Sequence, residues 1–295
     1  MKPAAFAYHR PATLAEALEL LATHADSAKI VAGGQSLVPV MNMRLATPAE
    51  LIDVNGLPDL DGIALRGNHV EIGALARHCA LADSPLVQER CPLLAQAAAT
   101  IGHYVIRQRG TLGGSLAHAD PTAQLPLVAV TLGAEIDLAS RRGLRTVAAA
   151  DFFLSVMTTA LEPDEVIVAV RFPVAQPGEG AAFRIFNRRR GDFAIVAVAA
   201  TIAVAHGRIT GLRLGVGGVA PAPVGYADIC RRFVGQPADA GRIDELGQAI
   251  GDAVDPEDNA RIPAAYRREL AQALTVRALA RALERATANP QGHAR

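Results

Sequence analysis

Two short stretches of this 295-residue chain pair adjacent glycines with small polar side chains: Ala32-Gly33-Gly34-Gln35-Ser36 and Thr111-Leu112-Gly113-Gly114-Ser115. Successive backbone N–H groups in a glycine turn can converge on an anion, because glycine reaches φ values closed to other residues and no Cβ blocks an incoming oxygen. One such turn is more often structural than functional. Two of them, each leading toward a helical segment whose first turn carries partial positive charge, could bracket the two phosphates of a dinucleotide. The chain has no G-x-G-x-x-G opening a helix after a strand and no G-x-x-x-x-G-K-S/T, which argues against Rossmann and P-loop sites.

The elements around these turns follow from local signals. Thr13 with Glu16 three residues on forms a capping box, and Leu14, Leu18 and Leu21 recur at helical spacing. A strand-like run, Lys29 to Ala32, leads into the first glycine pair, a helix-like run follows it, and Glu50 to Val54 reads as another strand. Alternation of strand and helix over about the first 55 residues predicts a small parallel or mixed α/β unit. The order then changes: a strand from His69, helices between about Ser84 and Ala99, a loop from Gly102 to Pro121 holding the second glycine pair, and a helix from Thr122 to Gly133. Pro121 suits the first turn of that helix and Gly133 its end. Strands follow at Ala134 to Ser140 and Glu165 to Pro173.

Proline and glycine accumulate between Pro173 and Ala182, which places a domain boundary near residue 176. Beyond it, Ala181 to Asn187, Ala194 to Gly207 and Arg208 to Gly218 read as strands, and helices run from about Val224, the last marked by Pro263. A three-stranded antiparallel sheet backed by a helical bundle fits that order.

Composition removes several function classes. Lys plus Arg and Asp plus Glu are both 29, so no net basic field draws nucleic acid or an anionic membrane. The longest apolar run, Ala194 to Ala205, is too short to span a bilayer and reads as a buried strand or two. No secretory signal is evident, and a cytoplasmic location is expected. Cys79, Cys91 and Cys230 are widely separated, without metal or cluster spacing, and read as buried thiols. Redox chemistry on this chain would therefore draw on metal held elsewhere.

The stretches Ala32 to Ser36, Thr111 to Pro121 and Arg189 to Ala194 ("RRGDFA"), in that order along the chain, resemble the FAD-binding medium subunit of the molybdenum hydroxylases, the family of carbon monoxide dehydrogenase and bacterial xanthine dehydrogenase. The resemblance runs from "FAYHRP" to the arginine-rich C-terminal segment. It implies a vanillyl-alcohol-oxidase-like (PCMH-type) FAD domain over residues 1–176, with subdomains of about 1–56 and 57–176, and a carbon monoxide dehydrogenase flavoprotein-like C-terminal domain over 177–288. Residues 289–295 would be a disordered tail.

By this likeness Ala32, Gly33, Gly34, Gln35 and Ser36 with Thr111, Leu112, Gly113, Gly114 and Ser115 cradle the pyrophosphate of non-covalently bound FAD, with Val31 and Ile101 nearby. Asp120 falls at the same site, and reads otherwise as an ordinary helix-entry residue. Gln124 stands where relatives carry Asp or Glu bonded to sugar or ribityl hydroxyls, so that contact becomes uncharged. Ser115 replaces an asparagine common in relatives. Phe193 matches an aromatic position beside the isoalloxazine ring, although an apolar run starts there and would make it core. Arg184 matches a basic position frequent in the family. The isolated His118 is read as neither a flavin attachment point nor a ligand.

The implied function is electron transfer. Substrate would be hydroxylated at a molybdenum cofactor on a large partner, electrons would cross [2Fe-2S] clusters on a small partner, and FAD here would pass them to an external acceptor, in a dimer of heterotrimers. No catalytic acid, base or nucleophile is required of this chain. Two other readings are a stand-alone flavin oxidoreductase and a nucleotide-binding regulatory or assembly subunit without a redox role.

Overall fold

The computed structural model describes residues 1–258 and 262–288; the expected disordered tail, 289–295, lies outside the described residues. The first unit alternates β1 (Ala7–His9), α1 (Leu14–His24), β2 (Ala28–Val31), α2 (Leu37–Asn42) and β3 (Glu50–Asp53). Its three strands are parallel, in the order β1-β3-β2. Parallel neighbours need crossovers, which the two helices supply. The Thr13–Glu16 cap forms with its return bond displaced by one residue: Glu16 N donates to Thr13 Oγ1 at 3.2 Å, and Ala12 N, rather than Thr13 N, donates to Glu16 Oε2 at 2.7 Å. Ala17 and Leu21 of α1 then pack with Ile52 and Val54 in a small core. Val31 pairs with Asp53, so the first glycine turn and the residues after β3 leave the sheet side by side at the strands' carboxyl ends.

The second unit contains β4 (Ile63–Arg66), β5 (His69–Gly73), α3 (His78–Asp83), α4 (Pro85–Arg90), α5 (Pro92–Ala99), α6 (Tyr104–Arg109), α7 (Leu112–His118), α8 (Gln124–Leu132), β6 (Glu135–Ser140), β7 (Gly143–Ala148), α9 (Ala149–Phe152), β8 (Phe153–Ser155), β9 (Thr158–Thr159) and β10 (Val166–Pro173). Its main sheet is antiparallel, ordered β4-β5-β10-β6-β7, with β8 and β9 as a separate hairpin. Phe152, Phe172, Leu125 and Leu127 are fully buried in its core. Each such side chain stabilises by about 1.5–3 kcal/mol over leaving it in water.

Two local expectations shift here. The stretch from Gly102 to Pro121 is not one loop: it holds α6 and α7, and Thr111 caps α7 by accepting from Gly114 N at 3.2 Å. The following helix begins at Gln124 rather than Thr122, because Asp120 Oδ1 accepts from Thr122 N and Thr122 Oγ1 and turns the chain before the helix starts. Gly133 ends it in the left-handed conformation, φ 68°, as its position predicts.

The third unit has β11 (Glu179–Phe186), β12 (Val196–Ala205), β13 (Arg208–Gly217), β14 (Val224–Gly225), α10 (Ala227–Arg231), α11 (Ala240–Ala253) and α12 (Ala264–Ala288). The sheet is antiparallel in the order β11-β12-β13-β14, the last a two-residue addition to the three strands read from the sequence. Both of its faces are covered. Phe183, Ala197 and Ala199 face the core of the second unit, while Ala182, Val196, Val198 and Ala200 join α11 and α12 in another. That two-sided burial explains why the long apolar run is one continuous strand without alternation. Among the described residues no helix is long and apolar enough to cross a membrane.

Candidate functional site

Ala32 to Ser36 connect β2 to α2. The backbone N–H groups of Gly33, Gly34, Gln35 and Ser36 donate to no protein atom among the described residues. Gln35 folds back, its Nε2 donating to Gly33 O at 2.8 Å. Gly34 holds φ 68°, which L side chains adopt only with strain. Ser36 occupies the N-cap position of α2 yet makes no capping hydrogen bond with its side chain. Backbone donors left without partners are rare unless solvent or a ligand takes them.

The second glycine pair differs. Leu112 N donates to Ala76 O at 2.9 Å, Gly113 N to Ala74 O at 2.8 Å, and Ser115 N to Thr111 O at 3.0 Å. With Gly114 N on Thr111 Oγ1, the donors of Leu112 to Ser115 all have protein partners. Thr111, Leu112 and Gly113 are buried, and Gly114 and Ser115 carry the exposed part of the turn. A Cβ on Gly113 would lie 2.7 Å from Ala74 Cβ, and one on Gly114 would lie 2.7 Å from Thr111 Oγ1. These glycines therefore allow close packing of the turn.

The structure brings the two stretches together. A Cβ on Gly33 would sit 2.4 Å from Arg109 O and 2.8 Å from Gly110 Cα, so the backbone just before Thr111 lies directly on the first turn. Below this contact, His78 Nε2 donates to Thr111 O at 3.0 Å and His78 N donates to Gly110 O at 3.0 Å. Among the described residues Nδ1 of His78 has no partner, and burial, aided by Arg107 and Arg77, pushes the ring's pKa down to about 4. His78 is thus neutral, with its proton on Nε2, whose partner among the described residues, the Thr111 carbonyl, can only accept.

The remaining expected residues fall into two groups. Gln124 is 7% exposed, and its amide makes no hydrogen bond among the described residues. The small exposed part of the residue includes its amide, which is therefore open to solvent or a ligand. Ile101 is half-buried, and its carbonyl accepts from Arg107 Nη1 at 2.9 Å. The turn at Ile101 carries the loop from Asn187 to Ala194: a Cβ on Gly191 would lie 2.7 Å from His103 Cε1 and 3.2 Å from Gly102 O. Phe193 on that loop is 70% exposed, so it is not core, and the strand starts three residues later at Val196.

Asp120 is engaged with Thr122 as described above. Val31 ends β2 with its carbonyl accepting from Val54 N at 3.1 Å. Arg184 stands apart. It shares the α12-facing side of β11 with Ala182, and its one side-chain hydrogen bond among the described residues goes to Phe183 O at 3.3 Å. His78, Asn55 and Arg77 were not legible as site residues. They stand far from the glycine turns in sequence, and neither an isolated "RH" nor an asparagine after a strand carries a motif.

Comparison with known proteins gives this geometry a family. Residues 4–175 match the FAD binding domain in molybdopterin dehydrogenase, and residues 181–282 match the CO dehydrogenase flavoprotein C-terminal domain. The chain belongs to the FAD-binding medium subunits of the molybdenum hydroxylase family. The carbon monoxide dehydrogenase medium chain of Afipia carboxidovorans is 36% identical over 287 residues, covering 97% of this chain and 99% of that one. Subunit alpha of the 6-hydroxypseudooxynicotine dehydrogenase complex of Paenarthrobacter nicotinovorans is 37% identical, with 97% of each chain covered. Among solved structures, carbon monoxide dehydrogenase from Hydrogenophaga pseudoflava matches with a TM-score of 0.93 at 36% identity, over 97% of this chain and 99% of that one. Quinoline 2-oxidoreductase from Pseudomonas putida 86 matches with a TM-score of 0.92 at 34% identity, with the same coverage.

The residues present suit the family's cofactor. A run of four unpartnered N–H groups fits phosphate oxygens, and the unpartnered Gln124 amide fits a hydroxyl. Beneath the turns, His78 is held neutral by burial.

Proposed function

We propose that this chain holds FAD non-covalently, with the pyrophosphate at Gly33–Ser36 and the contact with Arg109–Gly110, and that it works as the medium subunit of a heterotrimer. A large molybdenum-cofactor subunit and a small subunit with [2Fe-2S] clusters would complete the assembly, in a cytoplasmic dimer of heterotrimers. The observation that carries the reading is the run of unpartnered backbone donors at Gly33, Gly34, Gln35 and Ser36, in a chain that matches medium-subunit relatives over 97% of its length.

Residues 1–176 form the flavin domain in this reading and 177–288 the C-terminal domain. The N–H groups of Gly33 to Ser36 bind phosphate oxygens, and the neutral His78 keeps Thr111 O in place without adding charge. Gln124 offers a donor and an acceptor to a sugar or ribityl hydroxyl. Phe193, exposed on a loop seated against the Ile101–His103 turn, supplies apolar cover to the isoalloxazine ring. The chemistry FAD supplies when bound is redox exchange between clusters and an acceptor; the chain's part is binding, orientation and shielding.

Co-expression with the neighbouring reading frames tests the assembly. A complex containing molybdenum, iron and FAD, with substrate oxidation absent from the isolated chain, is the expected result. Oxidation of a small substrate by this chain alone, with no such complex, would establish a stand-alone oxidoreductase instead.

A further inference from the structure

Apart from the turns themselves, one side-chain chain joins them. Asn55 Nδ2 donates to Ala32 O at 2.8 Å and to Asp53 Oδ1 at 2.6 Å. Its Oδ1 accepts from Arg77 Nη2 at 2.7 Å, and Arg77 Nη1 donates to Arg109 O. Two acceptors facing Nδ2 and a donor facing Oδ1 leave only one orientation for the Asn55 amide. Tyr8 Oη donates to the other carboxylate oxygen of Asp53, which holds the far end. Burial alone would raise the Asp53 carboxyl, but the hydrogen bonds from Tyr8 and Asn55 outweigh it, so the group ionises below its usual range and stays an acceptor.

The two carbonyls at the ends of this chain belong to the two turns. Ala32 O has Asn55 as its one donor among the described residues, and Arg109 O, at the C-terminus of α6, has Arg77. Arg109 O is also the atom nearest to a Cβ built on Gly33. A guanidinium can serve both ends at once because its donors are fixed in one planar fork. Among the described residues Arg77 makes no ion pair, so its guanidinium is committed to Asn55 Oδ1 and Arg109 O.

We infer that Asn55 and Arg77 are positioning residues for FAD: the pair buckles the Ala32–Ser36 turn to the Arg109–Gly110 backbone and sets the gap into which the pyrophosphate fits. This rests on the reading of Gly33–Ser36 as the pyrophosphate site. Loss of either member frees one carbonyl and lets the turns separate, while the parallel sheet and the cores remain as they are.

The test is FAD rebinding by the full-length chain after flavin removal, followed by flavin fluorescence, with the melting temperature of the flavin-free protein measured alongside. Asn55→Ala and Arg77→Ala should each raise the Kd about tenfold, and the double variant should raise it no further than the weaker-binding single, as expected of residues acting through one link. Arg77→Lys, whose compact ammonium lacks the planar fork that spans both acceptors, should fall between, and it serves if Arg77→Ala does not fold. Melting temperatures within about 2 °C of wild type are expected, because exposed hydrogen bonds contribute little to stability. Wild-type affinity in the single variants would overturn the inference and leave the FAD site standing. So would additive losses in the double variant, or losses that track a fall in melting temperature. A wild-type chain that takes up no FAD would overturn both.

Discussion

A Cβ on Gly33 would lie 2.4 Å from the carbonyl oxygen of Arg109. The side chain missing at this position is thus excluded by the chain's own backbone, 76 residues further along, as well as by any ligand. Gly33 lets two distant segments touch, and beside the contact four N–H groups keep no protein partner among the described residues.

Gly33→Ala should therefore disturb both stability and flavin content. The clash is with backbone, which cannot swing aside, so a destabilisation of about 1–3 kcal/mol is expected in denaturant unfolding. The FAD-to-protein ratio after gel filtration should fall with it. Gly114→Ala meets only the Thr111 hydroxyl and should cost about 1 kcal/mol through the lost cap, with a smaller loss of flavin.

His78 makes stability depend on pH in a defined direction. Its folded pKa of about 4 lies below the ordinary value of 6.5, so the unfolded chain takes up the proton first. No penalty exists above about pH 6.5, and it grows as pH falls, reaching about 3 kcal/mol near pH 4. Denaturant unfolding at pH 7 and pH 4 should show a smaller acid loss in His78→Leu than in wild type, by about that amount. Equal losses would mean that the ring titrates normally.

Gln124→Leu separates binding from folding. The amide has no protein partner among the described residues and reaches solvent, so replacing it with an apolar group should leave the melting temperature of the flavin-free chain nearly unchanged. FAD affinity should fall about fivefold to tenfold, the loss of about one hydrogen bond. Undiminished affinity would remove Gln124 from the site.

Phe193→Ala should be silent in the apo protein, within about 0.5 kcal/mol, because the ring is exposed. In the flavin-loaded protein it should raise quenching of flavin fluorescence by iodide, as apolar cover is lost. Unaltered quenching would place Phe193 away from the ring.

Much of this was legible in the sequence, for local reasons. The Thr13 N-cap, Gly133, and the alternation of strand and helix up to Asp53 each act within a few residues, and each formed as read. Misread elements depend on longer-range facts. Thr111 to Ser115 looked like a loop because glycines disfavour helices, yet Gly113 is held against Ala74 and Gly114 N on the Thr111 hydroxyl, which makes the stretch a helix start. Phe193 stood ambiguous between core and flavin cover until the loop's seat on His103 left it exposed. The Asn55–Arg77 link joins residues 22 apart to carbonyls at 32 and 109, and no spacing rule connects those four positions.

The most direct measurement is a spectral titration of the purified full-length chain with FAD. The expected result is one FAD per chain, with a shifted and structured flavin absorption band and loss of both signals in the Gly33→Ala protein. A chain that stays colourless after incubation with FAD and gel filtration would contradict the central claim and leave a nucleotide-binding or assembly role in its place.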